Sequence, residues 1–295
     1  MRNFFRTFVL KSVSGLRLNE LALTVQRLGV GSSRIVVVEM HETLRAHADQ
    51  LRQQLQWVAG HFTFITPELF ARSLETRTRS WRGSKPAVLF TFDDGRESNY
   101  QVAAPILESF GARAIFFVVP QFVGLEENAA RDFYYSKIDI RNIVSAGACQ
   151  DEIWKPMTPG ELADLVRRGH WIGSHTLSHA RLAGLPVPEL QHEIRTSSEQ
   201  IAVWTGKPVD AFAWTYSWDA IDRGSWEVVR QAHRFCFSPC PGTVQPAVDL
   251  PHLIWRKEIE SYYSPVEYRF MYSGLVDLIW AGKRKKLKQI LGQSR

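Results

Sequence analysis

The stretch from residue 87 to residue 119 limits the fold more than any other part of the sequence. Residues 87–92 and 114–119 are short runs of apolar, aromatic and β-branched residues, a composition typical of strands buried on both faces. Between them, residues 99–110 have a helical pattern that ends at Gly111, a residue suited to a helix C-terminus. A strand, a helix and a second buried strand in this order predict a βαβ unit and therefore a parallel sheet.

The rest of the chain repeats this alternation. Further strands are predicted at residues 35–38, 62–65, 170–173, 211–216 and 248–259, and helices at residues 51–58, 158–169, 188–204 and 226–233. Strands that alternate with helices predict a single α/β domain of barrel type, with its chemistry at the carboxyl edge of the strands. We place this domain at residues 34–262, between an N-terminal extension (residues 1–33) and an aromatic and basic C-terminal tail (residues 263–295).

Composition argues against several other classes of protein. Lys and Arg number 36 against 30 Asp and Glu, but no nucleic-acid module is recognisable, so no nucleic-acid partner is expected. Three cysteines without Cys-x-x-Cys spacing favour free buried thiols over a disulfide framework or a structural zinc cluster. The lack of a signal-like segment and of a membrane span predicts a cytoplasmic protein.

Two adjacent carboxylates, Asp93 and Asp94, stand directly after the first strand of the βαβ unit. An Asp-Asp-Gly sequence alone is typical of a solvated turn. His175 and His179, however, follow another apolar stretch and are four residues apart, a spacing that lets both imidazoles bind one metal ion. Because the carboxyl ends of parallel strands meet at one edge, we predict that Asp94, His175 and His179 bind a divalent metal and that Asp93 remains as a base.

At these residues the chain resembles the polysaccharide deacetylase family, the carbohydrate esterases of the fourth class with a NodB-homology domain. Residues 91–95 are similar to its first motif and residues 174–179 to its second. The resemblance implies a distorted (β/α) barrel of seven strands, with Asp93 as general base and the other three residues as metal ligands. Zinc suits this nitrogen-rich set, and nickel or cobalt would bind similarly.

The third motif of the family is altered in this chain. Residues 212–217 align with it, but threonine and serine replace its proline and glycine, and Ala213 stands where many members carry an arginine that orients the base. The resemblance still implies that the backbone N–H at Tyr216 faces the oxyanion. Trp214, Tyr216 and Trp218 alternate, which predicts that they share one face of a strand, either as core aromatics or as a platform that binds the sugar.

Two further assignments come from the last predicted strand. Residues 250–256 lie where the family places its acid histidine or its leucine-proline-arginine motif. By this alignment His252 is a candidate general acid, and Arg256 is a cation that orients the base or contacts the substrate. His41 follows the first predicted strand, where shorter relatives often have a tyrosine-histidine pair, and we interpret it as a supporting or structural residue.

Together with the metal site predicted from the residues, the resemblance implies a metal-dependent hydrolase that removes an acyl group, in the simplest case acetyl, from an N-acylated amino sugar. A cytoplasmic location favours a nucleotide-linked or lipid-linked glycan precursor of the cell envelope over a finished polymer, and a deformylase would use the same residues. The altered third motif keeps a second hypothesis open, a non-catalytic member that binds glycan or acts as a scaffold. The metal content of the purified protein discriminates between the two hypotheses.

The C-terminal tail has a chemical character of its own. Residues 270–280 are apolar and aromatic, and residues 283–288 contain five cations. Such a segment can lie in the interface of an anionic membrane, with its rings among the headgroups and its cations on the lipid. It can also form a helix that packs on the barrel and ends in a solvated basic turn. Peripheral contact with the inner face of the membrane and a packed helix are therefore both open.

Overall fold

Parallel strands form the central sheet of the protein. The computed structural model describes residues 33–139 and 153–293. The strands are β1 (Ile35–Met40), β2 (Thr63–Phe64), β3 (Ala87–Phe92), β4 (Ala114–Val118), β5 (Trp171–Ser174), β6 (Ala211–Ala213), β7 (Phe235–Ser238), β8 (Ile254–Trp255) and β9 (Lys257–Glu258). Their order is β8-β7-β6-β5-β4-β3-β1-β9, and β2 pairs with the start of β3.

The sheet curves into a distorted barrel whose closure lies at Arg256. This residue separates β8, which pairs with β7, from β9, which pairs with β1. Residues 254–258 therefore fill the space between the two ends of the sheet. The predicted barrel is confirmed, and its seventh strand is divided into two short strands by Arg256.

Helices cover the outside of the barrel. They are α1 (Ala48–His61), α2 (Pro67–Thr76), α3 (Ala104–Ser109), α4 (Glu127–Phe133), α5 (Pro159–Arg167), α6 (Val187–Thr205), α7 (Arg223–Ala232), α8 (Pro265–Tyr272) and α9 (Leu275–Ile290). Helix α5 begins at a capping box, in which Thr158 Oγ1 accepts from the Glu161 N–H and the Glu161 carboxylate accepts from the Thr158 N–H. Residues 99–103 before α3 and 134–138 after α4 form wider, π-helical turns.

Alternate residues of the strands pack into two apolar layers. Every residue of β1 and β3 is buried, as predicted for strands covered on both faces. Val37 and Leu89 belong to one layer, and Val38 and Phe90 to the other. A close approach fixes β5 on β4, because a Cβ at Gly173 would lie only 2.4 Å from Cδ1 of Phe117.

The C-terminal tail forms the two helices α8 and α9. Tyr272 and Leu287 are fully buried, and Lys257 Nζ lies 2.8 Å from Asp277 Oδ1, so β9 is joined to α9 by a buried ion pair. None of the helices in the described part of the chain has the length and apolar character needed to cross a bilayer. The predicted N-terminal extension, apart from Ser33, lies outside the described residues, as does Cys149, whereas Cys236 and Cys240 are buried free thiols.

Candidate active site

The three predicted metal ligands converge at the carboxyl edge of the barrel. Asp94 follows β3, and His175 directly follows β5. Asp94 Oδ1 lies 3.8 Å from His175 Nε2 and 3.6 Å from His179 Nε2, and all three side chains are buried. The sequence prediction that these residues share one location therefore agrees with the structure.

Hydrogen bonds orient both imidazoles. Nδ1 of His175 donates to the Ala213 carbonyl oxygen (2.9 Å), and Nδ1 of His179 donates to that of Lys137 (2.8 Å). With the proton on Nδ1, each Nε2 presents a lone pair to Asp94. Burial lowers the pKa of both imidazoles, to about 4 for His179, so both are neutral near pH 7.

Arg96 holds the remaining oxygen of Asp94. Its Nε and one terminal nitrogen donate to Asp94 Oδ2 at 3.2 and 2.8 Å, which leaves Oδ1 facing the imidazoles. Burial alone would raise the pKa of Asp94, but the charge of Arg96 outweighs it and holds the pKa well below its usual range. Sequence reasoning did not single out Arg96, although its place two residues after Asp94 is a usable signal.

The donor set fits a divalent cation. Tetrahedral zinc with bonds of about 2.0–2.1 Å keeps its ligand atoms about 3.4 Å apart, close to the observed 3.6 and 3.8 Å. Two neutral nitrogens and one carboxylate oxygen also suit zinc, nickel or cobalt. Glu39, His41 and Asp93 form a second acidic group nearby, but Arg256 occupies both oxygens of Asp93, and its positive charge disfavours a cation there.

Asp93 and Arg256 form a buried, two-pronged ion pair. The terminal nitrogens of Arg256 donate to Oδ1 and Oδ2 of Asp93 at 2.7 and 2.8 Å, and neither side chain is more than 1 % exposed. Glu39 Oε2 lies 3.4 Å from Arg256 Nε. Burial would raise the pKa of Asp93, but Arg256 holds it below its ordinary value. Arg256 therefore lies where it orients Asp93, and its complete burial does not support the predicted substrate contact.

His41, interpreted from sequence as a supporting residue, lies on the wall of the same cavity. Its Nδ1 is 2.8 Å from Oε1 of Glu260, and its Nε2 is 3.7 Å from Oε1 of Glu39. Burial would lower the pKa of His41, but the hydrogen bond and charge of Glu260 outweigh it and raise the pKa well above its ordinary value. An imidazolium with one N–H directed at a carboxylate is suited to donate its other proton.

His252 is not part of this arrangement. It precedes β8, so it lies at the amino end of a strand whose carboxyl end carries Arg256. Its backbone carbonyl accepts from Trp226 Nε1 of α7, and the cavity wall does not include it. The structure therefore does not bring His252 together with the other candidate residues.

The cavity over these groups has a volume of about 430 Å³ and an aromatic wall. Trp214, Tyr216 and Trp218 all line it, but β6 ends at Ala213. Trp214 and Tyr216 therefore lie in a loop and Trp218 begins a short 3₁₀ helix, so the three do not share one strand face as predicted. The Tyr216 hydroxyl donates to the His179 carbonyl oxygen (3.1 Å). The indole nitrogen of Trp214 is buried and has no hydrogen-bond partner among the described residues.

Backbone strain is concentrated at this site. Of the five non-glycine residues with positive φ in the described ranges, four belong to the site or its loops, namely Asp94 (74°), Thr176 (65°), His179 (58°) and Tyr216 (61°). Such conformations cost on the order of 1–3 kcal/mol each and persist only where the surroundings enforce them. Their clustering supports a functional assignment of this edge of the barrel.

Comparisons with known proteins agree with this geometry. The family model described as polysaccharide deacetylase matches residues 81–233. YxkH of Bacillus subtilis (strain 168), which carries the name of a polysaccharide deacetylase, is 24% identical over 158 residues, which cover 53% of this chain and 46% of YxkH. The chain thus spans about half the length of this curated relative.

Solved structures share the fold at low sequence identity. The deacetylase PplD of Streptococcus pyogenes, solved in complex with acetate, is 18% identical with a TM-score of 0.59, covering 82% of this chain and 98% of PplD. IcaB of Ammonifex degensii is 19% identical with a TM-score of 0.59, covering 81% of this chain and 95% of IcaB. Because the family model covers more than half of the 295 residues, and Asp93, Asp94, His175 and His179 lie within it, this chain belongs to the polysaccharide deacetylase family.

Proposed function

We propose that this protein is a metal-dependent hydrolase that removes an N-acyl group, in the simplest case acetyl, from an amino sugar. One observation carries the proposal. Three lone pairs, from Asp94, His175 and His179, converge on one point, and the arginine-held carboxylate of Asp93 lies beside them, 3.8 Å from His175 Nε2. The acetate bound to PplD supports acetyl as the first group to test.

The chain's own residues have separate parts in this proposal. Asp93 accepts the proton of the attacking water, because Arg256 keeps it ionised. His41 donates a proton to the departing amine, and the backbone N–H of Tyr216 faces the acyl oxygen. Trp214 contributes its unpaired indole N–H to the sugar. A bound divalent ion, zinc in the first instance and nickel or cobalt as alternatives, would polarise the acyl carbonyl.

Replacement of His41 by glutamine is expected to lower kcat by about 10²–10⁴-fold, the usual contribution of a general acid. A general acid works only while protonated, so the wild-type rate falls as pH rises through the raised pKa of His41. The variant lacks this group, and its slower rate is expected to stay level over the same alkaline range. The measurement is the pH dependence of kcat from pH 5 to 10.

His252→Gln is the matched control for that experiment. It removes an imidazole that does not line the cavity, and we expect kcat within about twofold of the wild type. A large loss in this variant, or an unchanged alkaline limb in His41→Gln, would return the acid role to His252 or to another group.

Replacement of Arg256 by methionine removes the charge that keeps the pKa of Asp93 low. Burial then raises that pKa, and because a base must be deprotonated to act, the acidic limb of kcat/KM is expected to move to higher pH. At neutral pH we expect kcat/KM of the variant to be about 10²-fold lower than that of the wild type, and to recover in part in alkaline buffer. A variant with uniformly reduced kcat/KM at every pH would show that Arg256 supports only the fold.

We further propose that the substrate is a cell-envelope polysaccharide or lipid-linked glycan precursor, and that the protein works peripherally at the inner face of the cytoplasmic membrane. Trp280 of α9 lines the active-site cavity, while the next residue on its N-terminal side, Ile279, is 64% exposed. The cytoplasmic leaflet is anionic and attracts basic segments such as residues 283–288. A helix that packs on the barrel with one face and meets lipid with the other would combine both sequence hypotheses for the tail.

The proposed function is tested with purified protein in two measurements. Metal analysis should give one divalent ion per chain, and a panel of N-acetylated and N-formylated sugars and glycolipids should release acetate or formate. Stoichiometric metal without release from any member of the panel would contradict the substrate class. Absence of both would favour the non-catalytic glycan-binding or scaffold hypothesis.

A further inference from the structure

A second cavity is lined by residues of α9 other than Trp280, which lines the active-site cavity. Its volume is about 620 Å³, and it is bordered by α9, by residues 243–249 and by the residue that precedes β1. Four cations line it, namely Arg34, Arg284, Lys285 and Lys288. We call this space the α9 cavity.

The carboxylates of the α9 cavity are already engaged. Asp277 Oδ1 lies 2.8 Å from Nζ of the buried Lys257. Asp249 accepts from the backbone N–H of Gln245 (2.7 Å) and from Trp255 Nε1 (3.2 Å). Because these two carboxylates face four lining cations with Lys257 behind them, the cavity has an excess of positive charge and favours an anion.

Several donors of the α9 cavity are available to such an anion. Nε of Arg34 is buried and has no hydrogen-bond partner in the described ranges. The exposed Lys285 forms no ion pair with a described residue, and Lys288 Nζ is 4.0 Å from Asp249. Arg284 differs, because its guanidinium already donates to the carbonyl oxygens of residues 241 and 277. A guanidinium and two ammonium groups are the donors that bind phosphate.

Two exposed apolar side chains lie on the same helix, one of them in the wall of the α9 cavity. Leu278 lines the α9 cavity and is 75% exposed, and the neighbouring Ile279 is 64% exposed. Exposed leucine and isoleucine beside a pocket of cations match a ligand that has a phosphate and a hydrocarbon chain. A soluble phosphate would account for the cations but not for the apolar residues.

We propose that the α9 cavity binds the phosphate of an anionic phospholipid headgroup, with Leu278 and Ile279 against the acyl chains. The inference rests on the proposed membrane location and assigns it a defined lipid site. Since Trp280 of the same helix lines the active-site cavity, a lipid held here would bring the mouth of that cavity close to the membrane surface.

Vesicle sedimentation tests the proposal with two matched double variants. Lys285→Gln/Lys288→Gln and Lys283→Gln/Lys286→Gln each remove two charges from α9, but only the first pair lines the α9 cavity. Lys283 and Lys286 instead lie over the rings of Trp280 and Trp218 at 4.0 and 5.6 Å. With phosphatidylglycerol vesicles, we expect the first variant to lose about tenfold in affinity and the second about twofold, and neither to bind phosphatidylcholine vesicles.

A third variant distinguishes lipid binding in the α9 cavity from diffuse contact through the surface of α9. Arg34→Gln changes a residue outside α9 and is expected to weaken binding about fivefold, more than Lys283→Gln alone. Equal losses in the two double variants would overturn the headgroup site and leave a diffuse membrane contact in place. If the wild type binds neither type of vesicle, both the headgroup site and the membrane contact are wrong. The hydrolase proposal is tested separately, by acyl release from a water-soluble sugar.

Inorganic phosphate distinguishes the two sources of the anion. Calorimetric titration of the wild type should show millimolar binding that the Lys285→Gln/Lys288→Gln variant loses. If phosphate binds in this way while vesicle binding is the same in both double variants, the site takes a soluble phosphorylated ligand, and the lipid proposal is wrong. Phosphate binding together with selective loss of vesicle binding supports the headgroup.

Discussion

The His175→Ala variant is expected to lose most of its bound metal, with an affinity at least about 100-fold weaker than that of the wild type. The variant removes one of the three proposed ligands. Substitution of residues that only support a ligand already lowers metal affinity by about 10–100-fold. The hydrogen bond of His175 Nδ1 to the Ala213 carbonyl oxygen directs the lone pair of Nε2 toward Asp94, and alanine has no donor atom to take its place. The measurement is metal content after dialysis against a weak chelator.

A matched control is His233→Ala. It also removes a buried imidazole, whose pKa burial lowers to about 4, but this imidazole bonds to Ser198 and not to a residue of the site. It should keep one metal per chain, and circular dichroism should show both variants folded. Stoichiometric metal in a folded His175→Ala protein would remove this residue, and with it the proposed site, from consideration.

The Asp93→Asn variant is expected to keep its metal and lose activity by about 10²–10⁴-fold. Asparagine has nearly the same shape as aspartate and can still accept one hydrogen bond from Arg256, but it cannot take a proton from water. The proposed metal ligand Asp94 is unaffected, because Arg96 holds its carboxylate independently of Arg256. Metal analysis and initial rates on the same preparation provide the two readouts.

Asp94→Asn serves as the contrasting variant, since it should lose metal and activity together. If Asp93→Asn behaves in this way and Asp94→Asn keeps its metal, the roles of the two aspartates have been exchanged. The melting temperature of each variant should also be measured. In Asp93→Asn the buried Arg256 loses a charged partner and keeps only Glu39, which can destabilise the fold.

The convergence of Asp94, His175 and His179, the proposed metal ligands, could be predicted from sequence because they lie close to recognisable strand ends. Asp94 follows an apolar strand, and His175 and His179 share one short motif, so strand order alone brings them together. Arg256 and Asp93, by contrast, are 163 residues apart, and only the family alignment suggested their pairing, while His41 and Glu260 are 219 residues apart and their pairing was not predicted. No periodicity or spacing records such pairs, because they depend on how the barrel closes.

The differences between the predicted and the observed positions of these side chains have local causes. The alternation of Trp214, Tyr216 and Trp218 reads as strand, but β6 ends at Ala213, and Tyr216 has a positive φ that no regular strand contains. His252 and Arg256 lie in one short stretch of sequence, but a two-residue strand lies between them and separates the two edges of the barrel. In both cases the strand boundary, which is weakly encoded in sequence, decided which side chains reach the cavity.

The position of Arg256 at the barrel closure has a consequence for how the enzyme comes into being. During synthesis, the proposed metal ligands and Asp93 leave the ribosome well before residues 254–258, which pair with β7 on one side and β1 on the other. A nascent chain can therefore present a complete set of ligands while the proposed base still lacks its cation. We expect a chain truncated before residue 254 to be inactive even where it retains metal. The same reasoning applies to protein engineering. If residues 81–233 alone were transferred into another protein, the product would contain neither Arg256 nor His41.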